Sequence, residues 1–207
     1  MKKLLVVLML CLTSVAVLAD SIAVTNYSFE QPGAKIKGWN GENGTDIPGW
    51  ASDTAAVDSG VESDWPGHTD GVYSGFLMSS DPSAFNLTDH VIAAGEVFTL
   101  QVDARNNWSG GTPDFLLSLY YDVAGVRNTV ASSTVTLIDG WMTYALTFSA
   151  DDVADSIGKL IGIELDNVAA VSNSWEGMDN VRLDVVPEPA TLCLLGLGAL
   201  SMLRRRK

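Results

Sequence analysis

The sequence predicts an all-β protein, and more specifically an antiparallel β-sandwich of jelly-roll type. About ten short segments alternate apolar and polar residues, so each has one apolar face. Glycine-containing turn signals separate these segments, and no long segment has the 3.6-residue period of an amphipathic helix. Strands with a single apolar face bury it by packing as two sheets around one core.

Each strand is predicted from its own alternation. Residues 98–104 are the clearest case, with apolar side chains at 98, 100, 102 and 104. One helical turn is expected at 151–156. The other predicted strands are 115–123, 141–148, 161–165 and 181–185, followed by the weaker segments 22–29, 48–57, 72–78, 85–92 and 129–137.

The N-terminal segment 1–19 has the organisation of a secretory signal peptide. Two lysines precede an apolar run at 4–12, and small residues at 17–19 form a cleavage site. We expect signal peptidase to cut between Ala19 and Asp20, so that the protein is exported. The alternative is a buried N-terminal helix.

The cysteines predict no disulfide in the domain that follows. Cys11 lies inside the signal peptide and Cys193 lies near the C-terminus. The span 20–185, which we interpret as one domain without internal repeats, has none. A domain of this size can bury enough apolar surface to fold without covalent cross-links.

Charge is concentrated in the middle of the chain. Six of the twelve basic residues lie at the two ends, together with one acidic residue, Glu188. The span 20–186 therefore holds six basic and 24 acidic residues, a net charge of −18. Such a surface repels nucleic acid and anionic headgroups, which argues against a nucleic-acid partner. Most of these carboxylates serve solubility, and some are available to bind Ca²⁺.

The C-terminal segment 186–207 is unlike the rest of the chain. A stiff Pro-Glu-Pro element precedes an apolar stretch at 190–203, which as a helix is roughly 21 Å long at 1.5 Å per residue. That is shorter than the hydrocarbon core of a membrane, so a temporary anchor fits better than a permanent one. The basic end stays on the cytoplasmic side; it consists of Arg204, Arg205, Arg206 and Lys207.

These C-terminal features resemble the PEP-CTERM sorting signal of Gram-negative and related bacteria. The motif residues are Val186, Pro187, Glu188 and Pro189. The resemblance implies recognition by a membrane exosortase, which moves the protein from the inner membrane to the cell envelope or extracellular matrix. It also implies an association with exopolysaccharide. The alternative is an ordinary tail anchor.

The middle segment resembles the galactose-binding-like jelly rolls, especially carbohydrate-binding modules. The resemblance rests on Asn-Tyr-Ser-Phe-Glu at 26–30, Ile-Pro-Gly-Trp at 47–50, Gly-Trp-Met-Thr-Tyr at 140–144 and Met-Asp-Asn-Val-Arg-Leu at 178–183. In those modules, acidic residues of the first and last strands often hold a structural Ca²⁺. The resemblance therefore implies Glu30 and Asp179 as candidate calcium ligands. The alternative is that both side chains cap turns.

No catalytic signature is present in the sequence. The two histidines, His68 and His90, have no cysteine in the domain to complete a zinc site. Acidic residues cluster at Asp58, Glu62, Asp64 and Asp70, but a solvated or Ca²⁺-binding loop explains them better than a catalytic pair. We therefore expect a protein that is not an enzyme.

Tryptophans in polar loops are the best candidates for binding a sugar. Their rings can stack on sugar rings while neighbouring polar groups bond the hydroxyls. The candidates are Trp108, Trp65, Trp175, Asn107 and Asp103. The alternative for each loop tryptophan is packing over an end of the sandwich. Trp50 and Trp141 are assigned to the core.

Together these observations predict an exported, exosortase-sorted surface or matrix protein that binds extracellular polysaccharide without catalysis. Two alternatives stay open. One is a structural or adhesive matrix protein with no glycan ligand, and the other is a glycan-active hydrolase.

Overall fold

The computed structural model describes residues 19–41, 46–53, 59–64, 67–78 and 83–187. This part of the chain forms an antiparallel β-sandwich, which confirms the predicted fold class. The strands are β1 (Asp20–Ile22), β2 (Ile36–Lys37), β3 (Gly60–Glu62), β4 (Ser74–Met78), β5 (Ala84–Val91), β6 (Glu96–Ser109), β7 (Asp114–Val123), β8 (Val126–Thr136), β9 (Met142–Ser149), β10 (Leu160–Asn167) and β11 (Ser174–Pro187).

The two sheets differ in size. The larger has seven strands in the order β2-β3-β4-β11-β6-β9, with β1 pairing with β11 as well. The smaller has four strands in the order β5-β10-β7-β8. The two longest strands, β6 and β11, have 14 residues each and lie side by side in the larger sheet.

The core between the sheets follows the predicted alternation. In β6 the side chains of Phe98, Leu100, Val102 and Ala104 are fully buried. The facing sheet contributes alternate residues of β7 and β10, which are also fully buried: Phe115, Leu117, Leu119, Ile161, Ile163 and Leu165. Burial of apolar area of this kind is the main driving force for closing the sandwich.

The predicted strand at 22–29 is wrong, and the described part of the one predicted at 48–57 is not a strand. The first strand ends at Ile22, and the chain then turns through 25–28. Around Trp50 it makes a turn with one isolated bridge, while 54–58 lie outside the described residues. Aromatic packing explains this: the rings of Phe29, Trp39 and Trp50 lie 4.9 to 6.4 Å apart and are buried. The core position predicted for Trp50 is therefore correct.

Strands β2 and β3 were not predicted, because they are too short to show alternation. Their close approach depends on Gly60, which has a φ of 148°. A Cβ at this position would lie 2.0 Å from the carbonyl oxygen of Ile36. The predicted helical turn at 151–156 is replaced by two 3₁₀ turns, Ala150–Asp152 and Ala154–Ser156.

The two ends of the domain meet at one place. Asp20 of β1 pairs with Val185 of β11, and Ala19 and Asp20 are exposed. The rest of the signal peptide, Glu188, Pro189, the segment 190–203 and the basic end 204–207 lie outside the described residues. Within the described ranges, no helix is long and apolar enough to cross a membrane.

Candidate ligand-binding face

The side of the seven-stranded sheet that is turned away from the core is here called the outer face. In β6 the residues between the buried positions 98, 100, 102 and 104 point to this side, and the antiparallel register extends it across the neighbouring strands. Its central residues are Glu62 of β3, Phe76 of β4, Trp175 and Asp179 of β11, Asp103, Arg105 and Asn107 of β6, and Thr143 of β9.

A hydrogen bond across the sheet organises the middle of the outer face. The Asn107 amide nitrogen donates to Glu62 Oε1 at 2.9 Å, although β4 and β11 lie between their strands. The Asn107 side chain passes over Gly177 of β11, where a Cβ would lie 3.1 Å from the amide. Glu62 is only 4% exposed, so its carboxylate is held in place.

Two tryptophans lie beside this hydrogen bond. Trp175 and Trp108 are directly opposite each other in the β11–β6 pairing, and Trp108 is 46% exposed. The rings of Trp175 and Phe76 are 5.3 Å apart, centre to centre. The outer face therefore combines aromatic rings with fixed polar groups. Trp108 and Trp175 lie on strands β6 and β11, so their assignment to polar loops is wrong.

Asp103 has a structural role on this face. Its carboxylate accepts hydrogen bonds from Thr143 at 2.6 Å, from Asn180 at 2.9 Å and from Arg182 at 3.2 Å. Burial opposes ionisation, but these hydrogen bonds outweigh it and hold the pKa of Asp103 below its usual value. Asp103 therefore fixes its neighbours, and little of its side chain is left for a ligand.

Asp179 and Glu30 hold one loop from two sides. Asp179 Oδ2 accepts from the backbone N–H of Thr69 at 2.9 Å and of Asp70 at 3.0 Å. Glu30 Oε1 accepts from the backbone N–H groups of residues 72 and 73, both at 2.7 Å. Burial raises the pKa of Asp179 to about 6, against the effect of its hydrogen bonds.

The two carboxylates hold the loop on either side of Gly71 by accepting backbone N–H groups, which also fits the alternative that they cap turns. Their oxygens are the donor type that Ca²⁺ prefers, and carbonyl groups of the loop are near enough in sequence to complete a shell. In the ranges that the structure describes, no three His, Cys, Asp or Glu side chains form a group that could hold a metal. A cation at this place would thus depend on backbone oxygens.

The border of the outer face is formed by Arg105 and Trp141. The Arg105 guanidinium lies 5.8 Å from the centre of the Trp141 ring and donates to the carbonyl of Asp139 at 3.0 Å. Trp141 is half-buried, so its assignment to the core is wrong. It directly precedes β9, where the outer face meets the loop at Gly67.

The acidic cluster predicted at 58–70 is not one site. Glu62 lies on a strand in the outer face, Asp64 pairs with Lys35, and Asp70 binds Asp179 through its backbone. Asp58 and Trp65 lie outside the described residues. Glu62, Arg105 and Phe76 were not among the sugar-binding residues predicted from the sequence.

A second carboxyl group that the sequence analysis missed lies between the sheets. Glu176 is fully buried, and burial raises its pKa to about 8, with a further contribution from Asp114 and Asp166. Ser174 Oγ is 3.4 Å from Glu176 Oε1, while Oε2 accepts no hydrogen bond from any residue that the structure describes. Because this group faces the core, it is separate from the outer face.

Residues 20–184 match the family model named HpiC1 cyclase. The chain belongs to the HpiC1-like family. Residues 185–207 match the PEP-CTERM protein-sorting motif, which supports the predicted export and processing by exosortase. No curated protein matches the sequence.

Solved structures give the same picture of the fold. The Stig cyclase Fisc from Fischerella sp. TAU, bound to (3Z)-3-(1-methyl-2-pyrrolidinylidene)-3H-indole, is 21% identical, with a TM-score of 0.63 over 83% of this chain and 100% of that chain. A Fischerella sp. TAU cyclase bound to 4-(1H-indol-3-yl)butan-2-one is 20% identical, with a TM-score of 0.64 over 82% and 99%. The CBM22-1 xylan-binding domain of Paenibacillus barcinonensis Xyn10C is 17% identical, with a TM-score of 0.55 over 83% and 98%.

The family corrects one expectation of the sequence analysis. We expected a protein that is not an enzyme, and this is wrong at the level of the family, because the matching family is one of cyclases. The carbohydrate-binding-module-like fold, in contrast, is supported by the xylan-binding neighbour.

Proposed function

We propose that this exported protein binds extracellular polysaccharide on its outer face. The observation that supports the proposal is the hydrogen bond between Asn107 and Glu62, which lies beside the paired tryptophans Trp108 and Trp175. The rings offer stacking surfaces to sugar rings, and the polar pair offers donors and acceptors to hydroxyl groups.

The pre-formed hydrogen bond favours binding for a physical reason. Asn107 and Glu62 already hold each other in one geometry, so a ligand does not have to order them. The side-chain oxygen of Asn107 accepts no hydrogen bond from any residue that the structure describes, so it can accept one from a ligand. Gly177 keeps this arrangement possible, since a side chain there would press on Asn107.

The test is retention of the protein (residues 20–187, which contain every strand) on xylan and other polysaccharides, including the matrix of its host. Trp175→Ala and Asn107→Ala are each expected to weaken binding about tenfold. The matched controls lie on the other sheet: Val126→Ala, at an exposed apolar residue, and Asn128→Ala, at a partly buried amide. Equal retention of all four variants would contradict the proposal.

The family supports a second candidate, a ring-closing reaction on an aromatic substrate at the same face. The supporting observation is that the buried carboxyl group of Glu62 lies on the same face as the neighbouring rings of Trp175 and Phe76. A carboxyl group held in a desolvated site can transfer a proton to or from a bound substrate.

The two candidates differ in what they bind. Titration with 4-(1H-indol-3-yl)butan-2-one, followed by NMR, measures binding of an indole ring, and the polysaccharide panel measures binding of sugars. Indole binding that is lost in Trp175→Ala, with no sugar retained by the wild type, would favour the cyclase candidate. Sugar retention without indole binding would favour the first proposal.

We further propose that Ca²⁺ binds between Glu30 and Asp179 and stabilises the loop that they hold. The two carboxylates reach adjacent parts of the loop, 72–73 and 69–70, which supports this assignment. The ion would tie the beginning of the domain to its last strand, since the ligands come from both ends of the chain.

A further inference from the structure

The sorting motif begins inside the folded sheet. Val186 of β11 pairs with Val97 of β6, and Pro187 pairs with Glu96. These are the first two residues of the Val-Pro-Glu-Pro motif, and they lie within the segment that matches the sorting-motif model. The motif is thus continuous with the last strand rather than separated from the domain by a linker.

The part of β6 that receives the motif is well anchored. Glu96 Oε2 accepts the backbone N–H of Ala93 at 2.7 Å and lies 3.1 Å from His90 Nε2. Beside it is a groove of about 460 Å³, which is lined by residues of β1 and β5 and by Pro187. The start of β6 is therefore held in place, and the two strands separate by movement of the end of β11.

Pairing within a sheet uses the backbone groups that a processing enzyme needs in order to bind an extended segment. Proline has no N–H to donate, so Pro187 adds less to the pairing than another residue would. The end of a strand also opens at a lower free energy than its middle. The 186–187 end of β11 is consequently the part of the sheet from which the motif can be released without unfolding the domain.

We propose that the sorting enzyme receives its motif only after residues 186 and 187 separate from β6, so that opening of this strand end limits processing. The folded domain thereby takes part in presenting the motif. Opening of this strand end does not depend on what the outer face binds, since the residues involved are different and the exosortase acts on the motif.

The test is a reversible cross-link in cells that contain the exosortase. Val97→Cys with Val186→Cys joins the cross-strand pair next to the last one, Glu96–Pro187, in a Cys193→Ser background that removes the native tail cysteine. The matched control joins Thr99→Cys with Asp184→Cys, a pair of the same type two residues further from the end. Processing is measured as the ratio of processed to unprocessed protein, and non-reducing gels show the cross-link.

We expect processing of the Val97–Val186 variant to fall about tenfold or more, and to recover with reductant. The control is expected to be processed like the wild type. Equal processing of both cross-linked proteins would overturn the proposal.

A second variant does not depend on disulfide formation. Insertion of Gly-Ser-Gly-Ser between Val185 and Val186 moves the motif out of the pairing with β6. Processing is expected to become faster than in the wild type, while the same four residues inserted after Gly125, in the exposed turn between β7 and β8, leave it unchanged. An unchanged rate with the motif displaced would contradict the proposal.

Discussion

The buried carboxyl group of Glu176 should make the stability of the domain depend on pH. Its pKa rises from 4.5 to about 8 in the folded protein, and burial is the main cause. A group whose pKa is raised on folding stabilises the folded state while it is protonated. Its contribution is complete below pH 4.5 and is lost as the pH rises through about 8, at about 1.4 kcal/mol for each pH unit.

The effect can be isolated above pH 6.5. Two other carboxyl groups, those of the partly buried Asp166 and the buried Asp179, have pKa values raised to about 6, so most of their change in protonation occurs below this range. Between pH 6.5 and 8.5, a carboxyl group with a pKa of about 8 lowers the free energy of unfolding by about 2 kcal/mol. Urea unfolding at intervals across this range measures the loss.

The variant Glu176→Gln keeps the shape of the protonated acid and removes its ionisation. We expect the free energy of unfolding of the variant not to fall by this amount, about 2 kcal/mol, between pH 6.5 and 8.5, so that the variant is more stable than the wild type at pH 8.5. The control is Asp155→Asn, at an exposed residue of a 3₁₀ turn, which should decline with pH as the wild type does. If the free energy of unfolding of Glu176→Gln falls as steeply with pH as that of the wild type, Glu176 is not the cause of the pH dependence.

Three further predictions concern the loops and the sheets. Saturating Ca²⁺ should raise the melting temperature of the wild type by about 5 °C relative to chelator, and Glu30→Gln should abolish this difference. Superimposable melting curves of the wild type with Ca²⁺ and with chelator would contradict calcium binding. Gly60→Ala should lower the free energy of unfolding by about 2–4 kcal/mol, because residue 60 has a φ of 148° and the new Cβ would collide with the carbonyl of Ile36. The control Gly140→Ala should change the free energy of unfolding little, since no atom lies within 4 Å of its new Cβ. Arg127→Lys should lower the free energy of unfolding, measured with urea, by about 1 kcal/mol. The reason is that lysine cannot form two hydrogen bonds to Asp53 while its cation lies 4.0 Å from the centre of the Phe85 ring, as the Arg127 guanidinium does. An unchanged free energy of unfolding would mean that these contacts do not stabilise the domain.

The alternation of the sequence predicted the longer strands well. β6 was predicted because its buried positions 98, 100, 102 and 104 fall at a strict period of two. β2 and β3 have two and three residues, so a period cannot be seen in them. Their position depends on backbone contacts at Gly60, which the one-dimensional pattern does not contain.

A bulge in β11 explains why the buried Glu176 could not be found from the sequence. Val181, Leu183 and Val185 are buried, so simple alternation along β11 places Asp179 in the core and Glu176 on the outside. The register shifts between Asp179 and Arg182, which reverses both positions. Asn180, with a φ of 49°, lies at this shift, but nothing in the sequence alone marks it.

The aromatic candidates were easier to predict than the polar ones. Trp108 and Trp175 stand among polar residues, which indicated a role at the surface. Glu62 was grouped with its sequence neighbours, whereas its partner Asn107 comes from a strand 45 residues later in the chain. A contact at such a separation follows from the order of the strands in the sheet, and this order was not predicted.

The position of β11 has a consequence for the timing of folding during export. It is the last strand to cross the membrane when the N-terminus leads, yet it lies between β4 and β6 and also pairs with β1. Until residues 174–187 arrive, the larger sheet lacks the strand that joins its two halves. Pairing between strands that are far apart in the sequence is slow, and strands that still lack their neighbour leave their edges exposed. The translocating chain therefore stays incompletely folded until the segment that leads into the sorting motif has emerged.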